Sequence, residues 1–232
     1  MPMMDWDLYW ARAEKRQQGF YPVIAKFYRD QIISRYAANA LDRYFENSHH
    51  RHYLHAGCGS GGSDWRIGLD QARFHFLDVA PGALRLHRQQ PMRIRGYHVG
   101  GDIFTLPYAS GSLDGIFNLG VMEHFQEAEI AKILAEFRRV LKPDGKLLLF
   151  WPPEFGLSVL VLSNFLKVVN RFRKEPLQLY PDEVSRIQSF PWVRDLLSRC
   201  GFQTLRLEFG LSDLFTYVLV VAGKGGPWEH ER

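Results

Sequence analysis

Tyr53-Leu-His-Ala-Gly-Cys-Gly-Ser-Gly-Gly-Ser-Asp64 reads as a short apolar strand running into a loop with glycines at Gly57, Gly59 and Gly61. Glycines spaced this way let backbone N–H groups approach a ligand that a side chain would hold off, and the helix expected next presents its positive N-terminus. Tight turns also collect glycines, so the run gains meaning only from its surroundings. A nucleotide-type site on a strand–loop–helix unit expects an acid at the tip of the next strand, about 20 residues on, to take hydrogen bonds from ribose hydroxyls. Asp78, closing Phe74-His-Phe-Leu-Asp78, stands there.

Outward from this loop the chain alternates short apolar runs with helical stretches, which predicts βαβ units and a mainly parallel sheet buried on both faces. Strands are expected near 51–56, 73–78, 96–99, 114–119, 146–151, 203–209 and 215–222. The clearest helix spans 126–141, where Ile130, Ile133, Leu134, Phe137, Val140 and Leu141 form one apolar stripe and Lys142-Pro143-Asp144-Gly145 ends it. The last two strands are joined by only a few residues and are expected to pair as an antiparallel hairpin. Residues 1–50 read as an amphipathic helical cap ahead of a 51–222 domain, with 152–182 as an insert or lid and 223–232 as a frayed tail. The aromatics Trp6, Tyr9, Trp10, Phe20 and Tyr21 either wall a binding cleft or pack the cap on the core. Phe155–Phe172, densely apolar with a basic end at Arg171-Phe-Arg-Lys174, reads as a lid, an interfacial helix or a helix packed on the core.

Composition narrows the class. The 232 residues, 46% hydrophobic, suffice for one full core. Two cysteines, Cys58 and Cys200, make neither a disulfide framework nor a metal knuckle, and a reducing, cytoplasmic setting is expected. The acidic start lacks the layout of a secretory signal and no run reaches a membrane span, which leaves peripheral membrane contact as the most the chain would make. A net charge of +4 without a dense basic block indicates no particular partner.

Further along, Gly100-Gly-Asp-Ile-Phe104 ends the third strand. Asp102 there reads either as a ligand group, with the apolar pair after it enclosing a flat ring, or as a turn residue. Ser112–Phe125 is a strand ending in the polar cluster Asn118, Glu123 and His124 at the same carboxyl edge. Open α/β sheets bind ligands along that edge, so four strand tips converge on one crevice.

With these residues the chain resembles the class I S-adenosylmethionine-dependent methyltransferases, in the broad small-molecule group that includes the ubiquinone/menaquinone-type enzymes. Leu54-His-Ala-Gly-Cys-Gly-Ser-Gly61 matches their glycine motif, Leu77-Asp-Val79 the ribose motif and Gly101-Asp-Ile103 the adenine motif. Asn118-Leu-Gly-Val-Met-Glu-His124 and Phe137-Arg-Arg-Val-Leu-Lys-Pro-Asp-Gly-Lys146 match the segments that follow. The resemblance implies an α/β, Rossmann-like sheet of seven strands, the last antiparallel, and S-adenosylmethionine as cofactor. It places Gly57, Gly59 and Gly61 at the methionine portion, Asp78 with Val79 at the ribose, Asp102 with Ile103 at the adenine, and Asn118 and Leu119 on the sulfonium side. The family usually has Asp or Glu two residues before the first glycine, to help hold the cofactor's ammonium group. This chain has His55, and Asp64 is the carboxylate that would compensate.

Methyl transfer needs mainly alignment of acceptor, methyl and sulfur. Where a proton must leave the acceptor, His124 is the candidate base. Metal assistance is not expected, because Gly120 stands where family members with E-x-x-E-H carry a further ligand. The chain also lacks the Asn/Asp-Pro-Pro-aromatic run after strand four that marks base-amine methylation, and a cysteine there for carbon-5 chemistry, so nucleic acid is not the expected acceptor. A small-molecule acceptor remains, received by residues 1–25 and 152–182, with hydrophobic quinone- or lipid-like compounds and polar metabolites both open. Two other readings stand beside it: a cofactor-binding module without transfer, and a dinucleotide oxidoreductase, which the glycine spacing disfavours.

Overall fold

A computed structural model describes residues 6–7, 9–10, 26–156 and 183–225. A π-helical turn, Arg29–Ile33, leads into α1 (Ser34–Tyr44), and β1 (His52–Ala56) opens the sheet. There follow β2 (Arg73–Asp78), α2 (Pro81–Arg88), β3 (Gly96–Gly100), β4 (Leu113–Leu119), α3 (Glu127–Val140), β5 (Leu141–Trp151), α4 (Phe190–Arg199), β6 (Phe202–Glu208) and β7 (Val218–Lys224). The strands form one sheet in the order β3-β2-β1-β4-β5-β7-β6. The pairings from β3 to β5 are parallel, and β7 runs antiparallel to both β5 and β6. This is the mainly parallel α/β sheet with a C-terminal hairpin that the strand pattern predicts.

The apolar runs are continuous because neighbouring side chains point to opposite faces and both faces are covered. Leu147, Leu149 and Trp151 of β5 join Leu54, Ile116 and Val220 under α3 and α4, whose Ile133, Phe137, Val193 and Leu196 complete that layer. Leu148 and Phe150 face the other way, with Tyr53, Phe74, Phe117 and Leu219, against Tyr36 and Leu41 of α1 and Leu84 of α2.

Helix ends follow local chemistry. The Glu129 carboxylate accepts the Gln126 N–H (2.8 Å) at the start of α3, and the Ser189 hydroxyl accepts the Trp192 N–H (3.3 Å) at the start of α4. Lys142–Gly145, expected as a turn, is already strand: Leu141 pairs with Leu113 across a bulge before regular pairing resumes at Lys146, so the helix passes directly into β5. At the other end, β7 begins at Val218 rather than near 215. Leu211–Asp213 forms a 3-10 turn instead, Leu214 and Phe215 take left-handed backbone angles (φ 54° and 59°), and the Asp213 carboxylate accepts the Tyr217 N–H (2.6 Å). The lid segment expected within 152–182 falls, from residue 157 on, outside the described residues, as does most of the 1–25 segment.

Candidate functional site

In this strand order the chain leaves β1 toward β2 and β3 on one side, and β4 and β5 lie on the other. The crevice at the carboxyl ends of β1 and β4 is therefore the switch point where such sheets bind ligands. The loop after β1 lies there, with Gly57, Gly59 and Gly61 at φ 72°, 54° and 68°, which side-chain-bearing residues adopt only under strain. It is also crowded: a Cβ on Gly57 would lie 2.8 Å from Val121, on Gly59 2.9 Å from the Trp10 indole, and on Gly61 2.5 Å from the His87 ring.

Asp78 ends β2 facing this loop, 8% exposed, its two oxygens accepting the N–H groups of Gly59 (2.8 Å) and Ala80 (2.9 Å). Burial pushes its carboxyl up, and the two N–H donors oppose that shift. Each oxygen keeps a further lone pair for a ligand. Val79 beside it is exposed. Two residues past the end of β3, Asp102 is exposed and accepts the Phe104 N–H (2.9 Å), which is the turn geometry its sequence position allowed. Ile103 packs into the core beside Leu77 and Leu106.

Asn118, fully buried, ties β4 to β1 by donating to the Ala56 carbonyl (2.9 Å), and its Oδ1 has no partner among the described residues. Leu119 is half-buried at the strand end. His124 lies half-buried in the 3-10 turn Met122–His124, its ring edge-on to Trp6 at 5.2 Å. Its neighbour Glu123 is buried, and burial, with Glu183 adding, raises its carboxyl to about 8.

His55 is the least expected element of the site. It is 3% exposed, stacked on Phe117 at 4.1 Å, and its Nδ1 lies 2.7 Å from an Asp64 carboxylate oxygen. That same oxygen lies 3.0 Å from His87 Nε2, and His87 Nδ1 lies 2.9 Å from His98 Nε2. Burial alone would raise Asp64, but His55 and then His87 hold it well below the usual carboxylate range. His98 is pushed down to about 4, chiefly by burial and then by His87. Among the described residues, His55, Asp64 and His87 are also the one group disposed to hold a cation. Asp64 was legible as a nearby carboxylate; His87 and His98 carry no sequence signal, since only the packing of α2 on β3 brings them in. The Cys58 thiol is raised by burial and by the carboxylates Asp78 and Asp64, which leaves it unreactive.

Residues 54–149 match the family model described as a methyltransferase domain. A malonyl-[acyl-carrier protein] O-methyltransferase of Laribacter hongkongensis is 33% identical over 102 residues, covering 40% of this chain and 34% of that protein. The match thus spans about a third of that relative. Magnesium protoporphyrin IX methyltransferase from Synechocystis, solved with bound S-adenosylhomocysteine, superposes at a TM-score of 0.67 with 15% identity and 95% of each chain covered. The mitomycin 7-O-methyltransferase superposes at 0.62 with 18% identity, covering 83% of this chain and 54% of that one. Residues 54–149 are thus similar to a methyltransferase domain, and the fold is that of a solved methyltransferase that holds S-adenosylhomocysteine. The sheet is Rossmann-like, as in those methyltransferase structures.

Proposed function

We propose that this protein transfers the methyl group of S-adenosylmethionine to an oxygen or nitrogen of a small, hydrophobic acceptor, leaving S-adenosylhomocysteine. The observation that carries this reading is the Asp78 carboxylate bonded to the Gly59 N–H, which joins the glycine loop to the tip of β2 at the switch point of the sheet. On this reading the glycine loop receives the methionine portion, Asp78 and Val79 hold the ribose, the Asp102–Ile103 turn frames the adenine, and Asn118 and Leu119 border the sulfonium. The sulfonium is a strong electrophile, so the protein's task is to hold acceptor atom, methyl carbon and sulfur in line and to keep water away. His124, at the tip of β4, takes the acceptor's proton when one must leave.

A hydrophobic acceptor is supported by the surface at the same edge. Phe190, Phe155, Phe209 and Phe215 run in sequence with ring centroids 6.0, 5.3 and 5.2 Å apart. Beside them Leu211 is 75% and Leu214 44% exposed. The names of the relatives, among them two O-methyltransferases, favour oxygen. No helix among the described residues is long and apolar enough to cross a membrane, which is compatible with action in the cytoplasm on an acceptor delivered from solution or from a lipid surface.

Calorimetric titration with S-adenosylmethionine, followed by a screen of phenolic, quinol and acyl-carboxylate acceptors for S-adenosylhomocysteine formation, tests the proposal. Binding with turnover is expected. No binding at high micromolar cofactor removes the enzyme reading, and binding without turnover across a broad screen replaces it with a cofactor-binding module.

A further inference from the structure

Next to Gly61, whose missing Cβ admits the His87 ring, three ligand-type side chains from three elements converge on one point. His55 comes from β1, Asp64 opens the 3-10 turn Asp64–Arg66, and His87 lies in the last turn of α2. They are 3%, 2% and 0% exposed. His55 Nδ1 and His87 Nε2 lie 2.7 and 3.0 Å from the same oxygen of Asp64, and all three atoms lie within 4.8 Å of one another. A buried carboxylate facing two imidazoles is either a hydrogen-bonded cluster or a metal site, since buried charges are paired or coordinate metals. The two differ little in shape: a tetrahedral ion about 2.0–2.1 Å from each ligand spaces the ligand atoms about 3.3 Å apart, a few tenths of an ångström beyond these contacts.

The surroundings favour the ion. An imidazole that binds a metal through Nε2 carries its proton on Nδ1, and the partner of that proton fixes the ring. His87 Nδ1 meets His98 Nε2 at 2.9 Å, and His98 sits on β3, so this outer partner is already in place. The His55 ring is fixed instead by stacking on Phe117 of β4 at 4.1 Å, and its outer nitrogen, Nε2, is buried with no partner among the described residues. His87 is therefore the better supported ligand of the two. Binding replaces protons at the ligating atoms, so the site does not depend on where a proton rests in the metal-free cluster. Two nitrogens and one oxygen suit zinc and its first-row neighbours, whereas magnesium and calcium take oxygen shells.

We propose that His55 Nδ1, Asp64 Oδ2 and His87 Nε2 ligate one divalent transition-metal ion of the zinc type, with His98 as a positioning residue for His87. A water or the second Asp64 oxygen fills the fourth position. The ion is structural: enclosed by buried ligands, it ties β1, the turn at Asp64 and α2 into one unit and holds the glycine loop between them. The site is distinct from the Gly120–His124 segment where a metal assisting methyl transfer would lie, and it does not depend on which acceptor is methylated or whether any is.

The test uses the untagged full chain, produced in medium supplemented with zinc and, separately, with cobalt, so that the ion is present as the chain folds around it. Elemental analysis after dialysis is expected to find one zinc per chain, and the cobalt protein is expected to show the visible absorption of a four- or five-coordinate Co2+ site. His87→Leu removes the better supported ligand and is expected to lose both the zinc and the cobalt band. His98→Ala leaves all three ligands in place and is expected to bind zinc roughly ten- to a hundred-fold more weakly in competition with a chromophoric chelator. Wild-type protein that carries no metal overturns the proposal. So does His87→Leu that retains one zinc per chain, which places the ion on other histidines. Zinc affinity unchanged in His98→Ala overturns the role given to His98. If His87→Leu does not fold, Asp64→Asn, which keeps the volume and removes the anionic ligand, must lose the cobalt band instead, and the wild-type result stands without either variant.

Discussion

Asp78 and Glu123 are both buried carboxyl residues at the carboxyl edge of the sheet, but their surroundings assign them different work. Asp78 accepts two backbone N–H groups, so Asp78→Ala removes a proposed ribose acceptor and the anchor of Gly59 together. S-Adenosylhomocysteine affinity is expected to fall at least ten-fold by titration, on the scale of a hydrogen bond to a charged group; unchanged affinity contradicts the assignment. Glu123 has an oxygen without a partner among the described residues and a carboxyl raised to about 8 from 4.5. Between those values the native state holds a proton that the unfolded chain has released, so stability declines as pH rises through that window, in total by roughly 3–5 kcal/mol. Glu123→Gln cannot titrate. Its melting temperature is therefore expected to fall less than the wild type's between pH 5 and pH 9, and parallel curves for the two proteins count against a protonated Glu123. The sequence showed Glu123 beside His124 as a polar pair at a strand tip. It could not show which one is buried, because Val184 and Ser185, whose N–H groups both reach the Glu123 carbonyl, are 61 and 62 residues further on.

Among the elements, the contact of the glycine loop with α2 is the most constrained. Gly61 has φ 68°, and any Cβ there would meet the His87 ring at 2.5 Å. Gly61→Ala thus combines left-handed strain with overpacking, an expected loss of roughly 2–4 kcal/mol by urea denaturation. Adding His87→Ala should relieve the steric part; a double variant no more stable than the sum of the single effects would locate the cost elsewhere. The elements themselves were well marked in the sequence: β1, β2 and β4 are apolar runs closed by glycine or acid, and α3 carries one apolar stripe. What was hidden depends on partners distant in the chain. Lys142–Gly145 has turn composition, and its strand character comes from pairing with Leu113. The left-handed Leu214 and Phe215 carry no glycine to announce them and are held by hydrogen bonding around Asp213.

Across the whole molecule the two edges of the sheet are built differently. At the amino edge Asp114 of β4 accepts from Arg51 (2.8 Å), from the His52 N–H (2.9 Å) and from Lys142 (2.8 Å), pinning the starts of β1, β4 and β5 to one buried carboxylate. Burial would raise this group, but Lys142, the His52 N–H and Arg51 lower it overall, so its contribution is present above the ordinary carboxylate range and is lost as pH falls through its depressed value. Asp114→Ala is expected to cost roughly 2–4 kcal/mol in urea denaturation while leaving S-adenosylhomocysteine affinity within two-fold; a large change in affinity would show that the two edges are coupled.

The carboxyl edge, by contrast, has an aromatic side chain lying directly on its glycine loop. Because Trp10 rests against Gly59, any molecule that reaches that stretch of backbone must displace the indole or stack on it. If the cofactor binds at this loop as proposed, the Trp10 indole is an intrinsic fluorophore beside it, and binding is expected to change its emission. Trp10→Phe serves as the dark control, and a stopped-flow emission change present in the wild type and lost in the variant is expected on mixing with S-adenosylhomocysteine.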